Sequence, residues 1–98
     1  MTGKATSIVH VDNDHVRVTE WRFAPGAATG WHRHEFDYVI TPVIGGQVEI
    51  EGRDGKRAPF EMVPGQSYFR QAGVEHDVIN GPSGPLAFVE VELKSRPG

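Results

Sequence analysis

Closely spaced turn residues divide this chain into short apolar runs, and that spacing limits the possible folds more than any other feature of the sequence. The turns are marked by Pro25-Gly26, Gly45-Gly46, Asp54-Gly55, Pro64-Gly65 and Gly81-Pro82. No helical 3.6-residue pattern persists between them. Twelve Val and five Ile against two Leu and seven Ala also favour pleated, β-branched packing over helix. We therefore predict an all-β protein.

Apolar and alternating runs predict eight short strands, which suit a small antiparallel barrel. The predicted strands are Ile8–Val11, Val16–Phe23, Tyr38–Val43, Gln47–Glu51, Pro59–Met62, Ser67–Arg70, Glu75–Asn80 and Ala87–Leu93. Phe69 and Phe88 are expected in the core. A length of 98 residues predicts a single domain over residues 1–98, with a frayed end at Ser95-Arg96-Pro97-Gly98.

Charge and composition exclude several classes of partner. The net charge of −3 offers no basic surface for a phosphate backbone, so we expect no nucleic acid partner. No run approaches the ~18 apolar residues of a membrane span. The first residues lack the apolar core of a secretory signal, and the absence of cysteine agrees with a cytoplasmic location. Exposed edge strands in so small a barrel predict a homodimer.

Two of the five histidines stand as Trp31-His32-Arg33-His34. On a strand, residues two apart share a face about 6–7 Å apart, so both imidazoles could reach one ion at ~2.0–2.1 Å. A lone His-x-His is weak evidence for a metal. His10 and His15 flank the turn Asp12-Asn13-Asp14 and are expected on the surface.

Glycine and histidine spacings around this pair resemble the two sequence motifs of the cupin family. The first motif matches Gly26, five residues, His32-x-His34, and then Gly45. The second matches Gly65, five residues, Gln71-x-Gly73, two residues, His76, three residues, and Asn80. The resemblance extends over nearly the whole chain. It implies a cupin-type jelly-roll β-barrel with a divalent metal held by His32, His34 and His76.

The positions of the three histidines along the chain are consistent with a closed barrel. His76 lies forty-two residues beyond His34, so it can join the pair only if the sheet closes on itself. The alternative is a set of three core histidines that satisfy one another by hydrogen bonds.

The chain departs from the family at the ligand that is usually glutamate. In cupins this glutamate usually follows the second histidine by four or five residues, and those positions are Tyr38 and Val39 here. Glu35 and Asp37 are nearby, but they have the wrong strand parity to face the histidines. Three neutral imidazoles leave the charge of a divalent ion uncompensated, which attracts an anionic substrate. The set resembles that of cupin dioxygenases with three histidines on iron. Iron is expected for function, although nitrogen ligands also accept Mn, Ni, Cu or Zn.

Three further residues are candidates for the chemistry. Arg70 takes an inward position, where it needs a carboxylate partner: either Glu49, Glu90 or another acid of the protein, or the carboxylate of a substrate. Tyr38 and Tyr68 share the inward parity and could stabilise an oxygen intermediate, although core packing is the more usual role of such residues.

The function predicted from these features is a dioxygenase-like oxidoreductase acting on a small polar or carboxylate-bearing metabolite. The segments Trp-His-Arg-His and Tyr-Phe-Arg-Gln-Ala-Gly-Val-Glu-His are similar to those of stand-alone cupins grouped with β-alanine catabolism. A metal-assisted isomerase or lyase remains open, since the same ligands polarise a carbonyl without oxygen. A non-catalytic ligand-binding or sensor domain also remains open.

Overall fold

A computed structural model describes residues 3–94, which form nine β-strands and no helix. Within these residues nothing has the helical length and hydropathy needed to cross a membrane. The predicted frayed end at residues 95–98 lies outside the described part. The strands are β1 (Thr6–Asp12), β2 (Val16–Phe23), β3 (His32–Arg33), β4 (Asp37–Ile44), β5 (Gly46–Glu51), β6 (Arg57–Met62), β7 (Tyr68–Arg70), β8 (Glu75–Asn80) and β9 (Leu86–Leu93).

The strands form two antiparallel sheets, one of five strands in the order β1-β2-β9-β4-β7 and one of four in the order β3-β8-β5-β6. Strands that are distant in the chain therefore lie side by side, as the prediction of a closed antiparallel barrel requires. Two of the predicted strands, Val16–Phe23 and Glu75–Asn80, have the observed bounds. The two-residue strand β3 was missed as a separate element because it is too short to show alternation.

The core lies between the two sheets and is made of their inward side chains. Its fully enclosed members include Phe23, Tyr38, Val48, Met62 and Leu86. Gly45 shows why a motif glycine is required next to this core. A Cβ added there would lie 2.5 Å from the carbonyl oxygen of Met62, closer than packed atoms tolerate.

The outer face of the five-stranded sheet carries an apolar row. Cross-strand partners run Val11, Val18, Val91, Val39 and Phe69 across all five strands. The expectation that Phe69 lies in the core is wrong, because β7 directs it to this outer face, where it is 50% exposed. The expected homodimer stays a prediction.

Candidate metal centre

Three imidazoles meet at one end of the space between the sheets. His32 on β3 and His76 on β8 are direct cross-strand partners. His34 follows two residues later, and its backbone N–H donates to the carbonyl of Val74 at 2.9 Å, which holds the chain beside β8. The Nε2 atom of His34 lies 3.0 Å from that of His32 and 3.1 Å from that of His76. The predicted cluster is therefore present.

Hydrogen bonds alone do not account for this arrangement of nitrogens. His32 Nδ1 lies 2.9 Å from the carbonyl oxygen of Gly30. A carbonyl only accepts, so Nδ1 carries a proton, and in the tautomer with a single proton Nε2 is a bare acceptor. His34 Nε2 can donate at most one proton to its two neighbours. With one proton on each ring, at most one of the two close contacts can be a well-aligned hydrogen bond, which disfavours the alternative of three mutually satisfied histidines and leaves lone pairs that a cation could take.

The spacing fits a transition metal ion. Imidazole nitrogens bind such ions at about 2.0–2.1 Å, and nitrogens 3.0–3.1 Å apart then subtend about 90–100° at the ion. Two angles near a right angle fit octahedral positions, and three ligands leave further positions open. Among the described residues the cluster contains the three histidines and no carboxylate.

A turn before β3 fixes the ring of His32. Gly30 has a φ of 87°, a conformation that favours glycine, and its carbonyl points at the imidazole. Its N–H donates to Oδ1 of Asp77 at 3.1 Å. The hydroxyl of Thr29 accepts the N–H of Val78 at 3.1 Å. Both contacts anchor the turn to β8, the strand that carries His76, so hydrogen bonds join the two elements of the site.

His34 is the most enclosed member of the cluster, at 6% exposure. One face of its ring stacks on Tyr38, with the centroids 3.8 Å apart and the planes 16° from parallel. Its Nδ1 lies 3.8 Å from Oε2 of Glu90, which β9 directs inward. The position where the family usually has its glutamate is thus filled by an aromatic ring.

Burial sets the protonation of these groups. It lowers the pKa of His34 to about 4 and that of His76 to about 3, with a further contribution from the neighbouring imidazoles. Both rings are therefore neutral near pH 7, as metal ligands must be. Burial, reinforced by the charge of Glu92, raises the pKa of Glu90 to about 7.

These shifts predict that the metal-free protein is less stable in acid. Between about pH 6.5 and 4.5, the unfolded chain holds one extra proton on each of His34 and His76, whereas the folded chain holds one extra proton on Glu90. The unfolded state thus binds one net proton more, and the free energy of unfolding should fall by at most about 1.4 kcal/mol per pH unit of acidification. Urea denaturation in the presence of a chelator measures this slope. A stability that is flat or rises towards pH 4.5 would contradict these assignments.

Comparison with known proteins identifies the family. The cupin domain family matches residues 19–92. The chain belongs to the cupin family. It is 53% identical over 97 residues to the "Beta-alanine degradation protein BauB" of Pseudomonas aeruginosa, covering 96% of this cupin and 100% of that protein.

Solved structures show the same fold. A cupin domain from Bordetella pertussis superposes with a TM-score of 0.92 at 44% identity, over 97% of this cupin and 98% of that chain. The polyketide cyclase RemF from Streptomyces resistomycificus superposes with a TM-score of 0.72 at 25% identity, over 99% of this cupin and 72% of that chain. The predicted cupin-type jelly-roll barrel is confirmed.

A cavity of about 850 Å³ opens beside the three histidines of this cupin. It is lined by groups of both polar and apolar character, including Tyr38, Tyr68, Arg70, Trp21 and Glu90. Such a volume accommodates a small metabolite.

The expectation that Arg70 is enclosed in the barrel is wrong, because β7 is an edge strand and leaves its side chain exposed. The guanidinium donates to the carbonyl of Phe69 at 3.1 Å and lies 4.8 Å from the centroid of the Tyr68 ring. It makes no ion pair with Glu49 or Glu90. Arg70 still borders the cavity, with donors free to face an incoming anion.

The two tyrosines differ in their surroundings. The hydroxyl of Tyr38 is buried and has no hydrogen-bond partner among the described residues, and burial raises the pKa of this phenol. Tyr68 is partly buried, packs edge-on against Phe60 and borders the cavity. Burial raises the pKa of Tyr68 to about 12, so its hydroxyl stays protonated at neutral pH and can donate a hydrogen bond.

Strand β9 contributes two inward acids, of which Glu90 was predicted only as a possible partner of Arg70 and Glu92 was missed. Glu90 and Glu92 are both buried, at 8% and 6% exposure. Arg17 donates to both oxygens of Glu92, at 2.7 and 3.0 Å. The strict alternation of Val89-Glu90-Val91-Glu92-Leu93 was the available signal, but alternation does not tell which set of side chains faces inward.

Proposed function

We propose that this cupin is a metal-dependent, dioxygenase-like oxidoreductase that acts on a small carboxylate-bearing metabolite. The observation that carries the proposal is the convergence of three Nε2 atoms, on His32, His34 and His76, without a carboxylate in the set. We assign iron to the site for function. Mn, Ni, Cu or Zn would also accept these nitrogen ligands.

Similarity supports the choice of substrate class. The relative from Pseudomonas aeruginosa is named for β-alanine degradation and is matched over its whole length. β-Alanine and the small carboxylates derived from it fit easily in a cavity of about 850 Å³. A divalent ion held by neutral ligands also attracts an anionic group to its open positions.

Each side chain around the cavity has a separate task under this proposal. Bound iron would supply the activation of O₂, and both oxygen atoms would enter the substrate, so no other reductant is required. Arg70 would bind the substrate carboxylate with its paired N–H donors. Tyr68 would donate a hydrogen bond to a substrate oxygen, and Tyr38 would keep His34 in place by stacking.

Oxygen uptake tests the reaction class. Protein loaded anaerobically with Fe²⁺ is mixed with β-alanine and small carboxylates in an oxygen electrode cell, with product analysis by mass spectrometry. We expect consumption of one O₂ per substrate and incorporation of both labelled atoms from ¹⁸O₂, and no uptake with His34→Ala. Conversion without oxygen uptake would instead identify an isomerase or lyase. Binding without conversion would identify a sensor, and either result would overturn the oxidoreductase.

Arg70→Lys tests the carboxylate anchor. A lysine keeps the charge but loses the planar pair of donors, so we expect KM to rise about tenfold with the metal content unchanged. Arg53→Lys is the matched control, because Arg53 pairs with Glu75 on the surface at 3.0 and 3.2 Å. Identical kinetic constants for Arg70→Lys and the unaltered protein would rule out this role.

A further inference from the structure

Glu90 and Glu92 lie on the same face of β9, and both are buried. Their hydrogen-bond partners differ. Arg17 occupies both oxygens of Glu92. Glu90 has no such cation. Its Oε1 receives a long hydrogen bond from Trp21 Nε1 at 3.4 Å, and its Oε2 lies 3.8 Å from Nδ1 of His34. A buried acid without a strong partner is costly to the fold, which suggests a role outside folding.

The strand register explains why Glu90 reaches this histidine. Tyr38 on β4 is opposite Glu92 on β9, and Ile40 is opposite Glu90. Glu90 is therefore a diagonal neighbour of Tyr38 on the same inner face. Tyr38 covers one face of the His34 ring, and Glu90 approaches the Nδ1 edge of the same ring. The acid that is missing at position 38 is supplied next to the cluster by the adjacent strand.

We propose that Glu90 is the positioning residue of the metal centre, where its carboxylate accepts the Nδ1–H of His34 and so turns Nε2 towards the ion. This inference rests on the proposed metal site. A carboxylate only accepts, so this contact, once closed to a hydrogen bond, would select the tautomer with the proton on Nδ1 and a free lone pair on Nε2. Metal-bound histidines regularly donate their second N–H to a carboxylate in this way. The separation of 3.8 Å exceeds a charge-assisted hydrogen bond by about 1 Å, and the proposal requires that gap to close when the ion binds.

The location of this charge has a chemical consequence. A carboxylate bound directly to the ion would occupy one of its open positions. Glu90 instead places negative charge behind His34, so it compensates part of the ion's charge and leaves those positions to other ligands. The ion would keep the open positions of a three-histidine site. Part of its charge would be compensated, as in a site that contains glutamate.

Two substitutions at position 90 and one at position 92 test the assignment, with Co²⁺ as the probe. Affinity is measured by competition with a chelating dye, and the d–d spectrum of the bound ion is recorded. Glu90→Leu removes both the charge and the acceptor, so we expect a 10–100-fold loss of Co²⁺ affinity and an altered spectrum. Glu90→Gln keeps an acceptor oxygen and should lose less. Urea denaturation of the metal-free variants should show no loss of stability in either, because a poorly paired buried acid is removed.

Glu92→Gln is the matched control, since it alters an equally buried acid on the same strand that pairs with Arg17. It should lower the stability of the metal-free protein and leave the Co²⁺ affinity within about threefold. Unchanged affinity in Glu90→Leu would overturn the proposal, as would a loss of affinity that parallels a loss of stability. Failure of the unaltered protein to bind Co²⁺ would instead remove the metal site itself, and the proposed function with it.

Discussion

Replacement of His76 by alanine is expected to weaken metal binding about 100-fold or more, while the barrel stays folded. The substitution removes one of three nitrogens and leaves two neighbouring histidines that cannot enclose an ion. At a free metal concentration 100 times the dissociation constant, an ion stabilises the unaltered protein by about 2.7 kcal/mol. The variant should lose most of that stabilisation, which thermal denaturation with and without Co²⁺ or Zn²⁺ measures directly.

His10→Ala is the control for this experiment. His10 lies exposed on β1, where it contacts Glu20 at 2.9 Å, far along the chain from the cluster. It should keep the full metal-dependent stabilisation. Equal stabilisation of His76→Ala and His10→Ala by the ion would contradict the assignment of the three histidines.

Replacement of Arg17 by methionine is expected to lower the free energy of unfolding by about 2–4 kcal/mol at pH 7. The guanidinium donates to both oxygens of Glu92, whose side chain is only 8% exposed. Without that cation a buried charge has no partner, a change that typically costs 3–5 kcal/mol. The lower range is used because the side chain of Arg17 is itself 37% exposed. Urea denaturation measures the loss.

A double variant and a surface control separate this pair from ordinary ion pairs. Arg17→Met combined with Glu92→Met replaces both charges by apolar groups and should recover most of the lost stability. Arg53→Met breaks another two-pronged contact, that with Glu75, but Arg53 is 74% exposed, so the loss should be much smaller than in Arg17→Met. Equal losses in Arg17→Met and Arg53→Met would show that burial of Glu92 does not matter.

The sequence predicted those parts of the molecule that depend on local patterns and fixed spacings. Turn residues delimited β2 and β8 to the residue because glycine and proline interrupt strands sharply. The cluster was also predictable, since His32 and His76 belong to spaced motifs and prove to be cross-strand partners. The absence of the usual glutamate was predictable as well, because that position is fixed by its spacing from His34 within a single segment.

The partners of the inner charges were not predictable, because they depend on which face of each strand the closed barrel encloses. Alternation in β9 shows two faces, and the usual assumption that valine faces inward is reversed there by a polar cavity. The position of Arg70 failed for a related reason. Inward parity implies burial only in the middle of a sheet, and β7 is at its edge. Neither the pairing of Arg17 with Glu92 nor the approach of Glu90 to His34 has a sequence spacing that signals it.

Anomalous diffraction at the absorption edge of a bound metal tests the central claim most directly. Crystals grown with Fe²⁺ or Co²⁺ should show one strong peak about 2.0–2.2 Å from the Nε2 atoms of His32, His34 and His76. No aspartate or glutamate oxygen should be bound to the ion. A peak away from the three rings, or one with a carboxylate in its coordination sphere, would contradict the account.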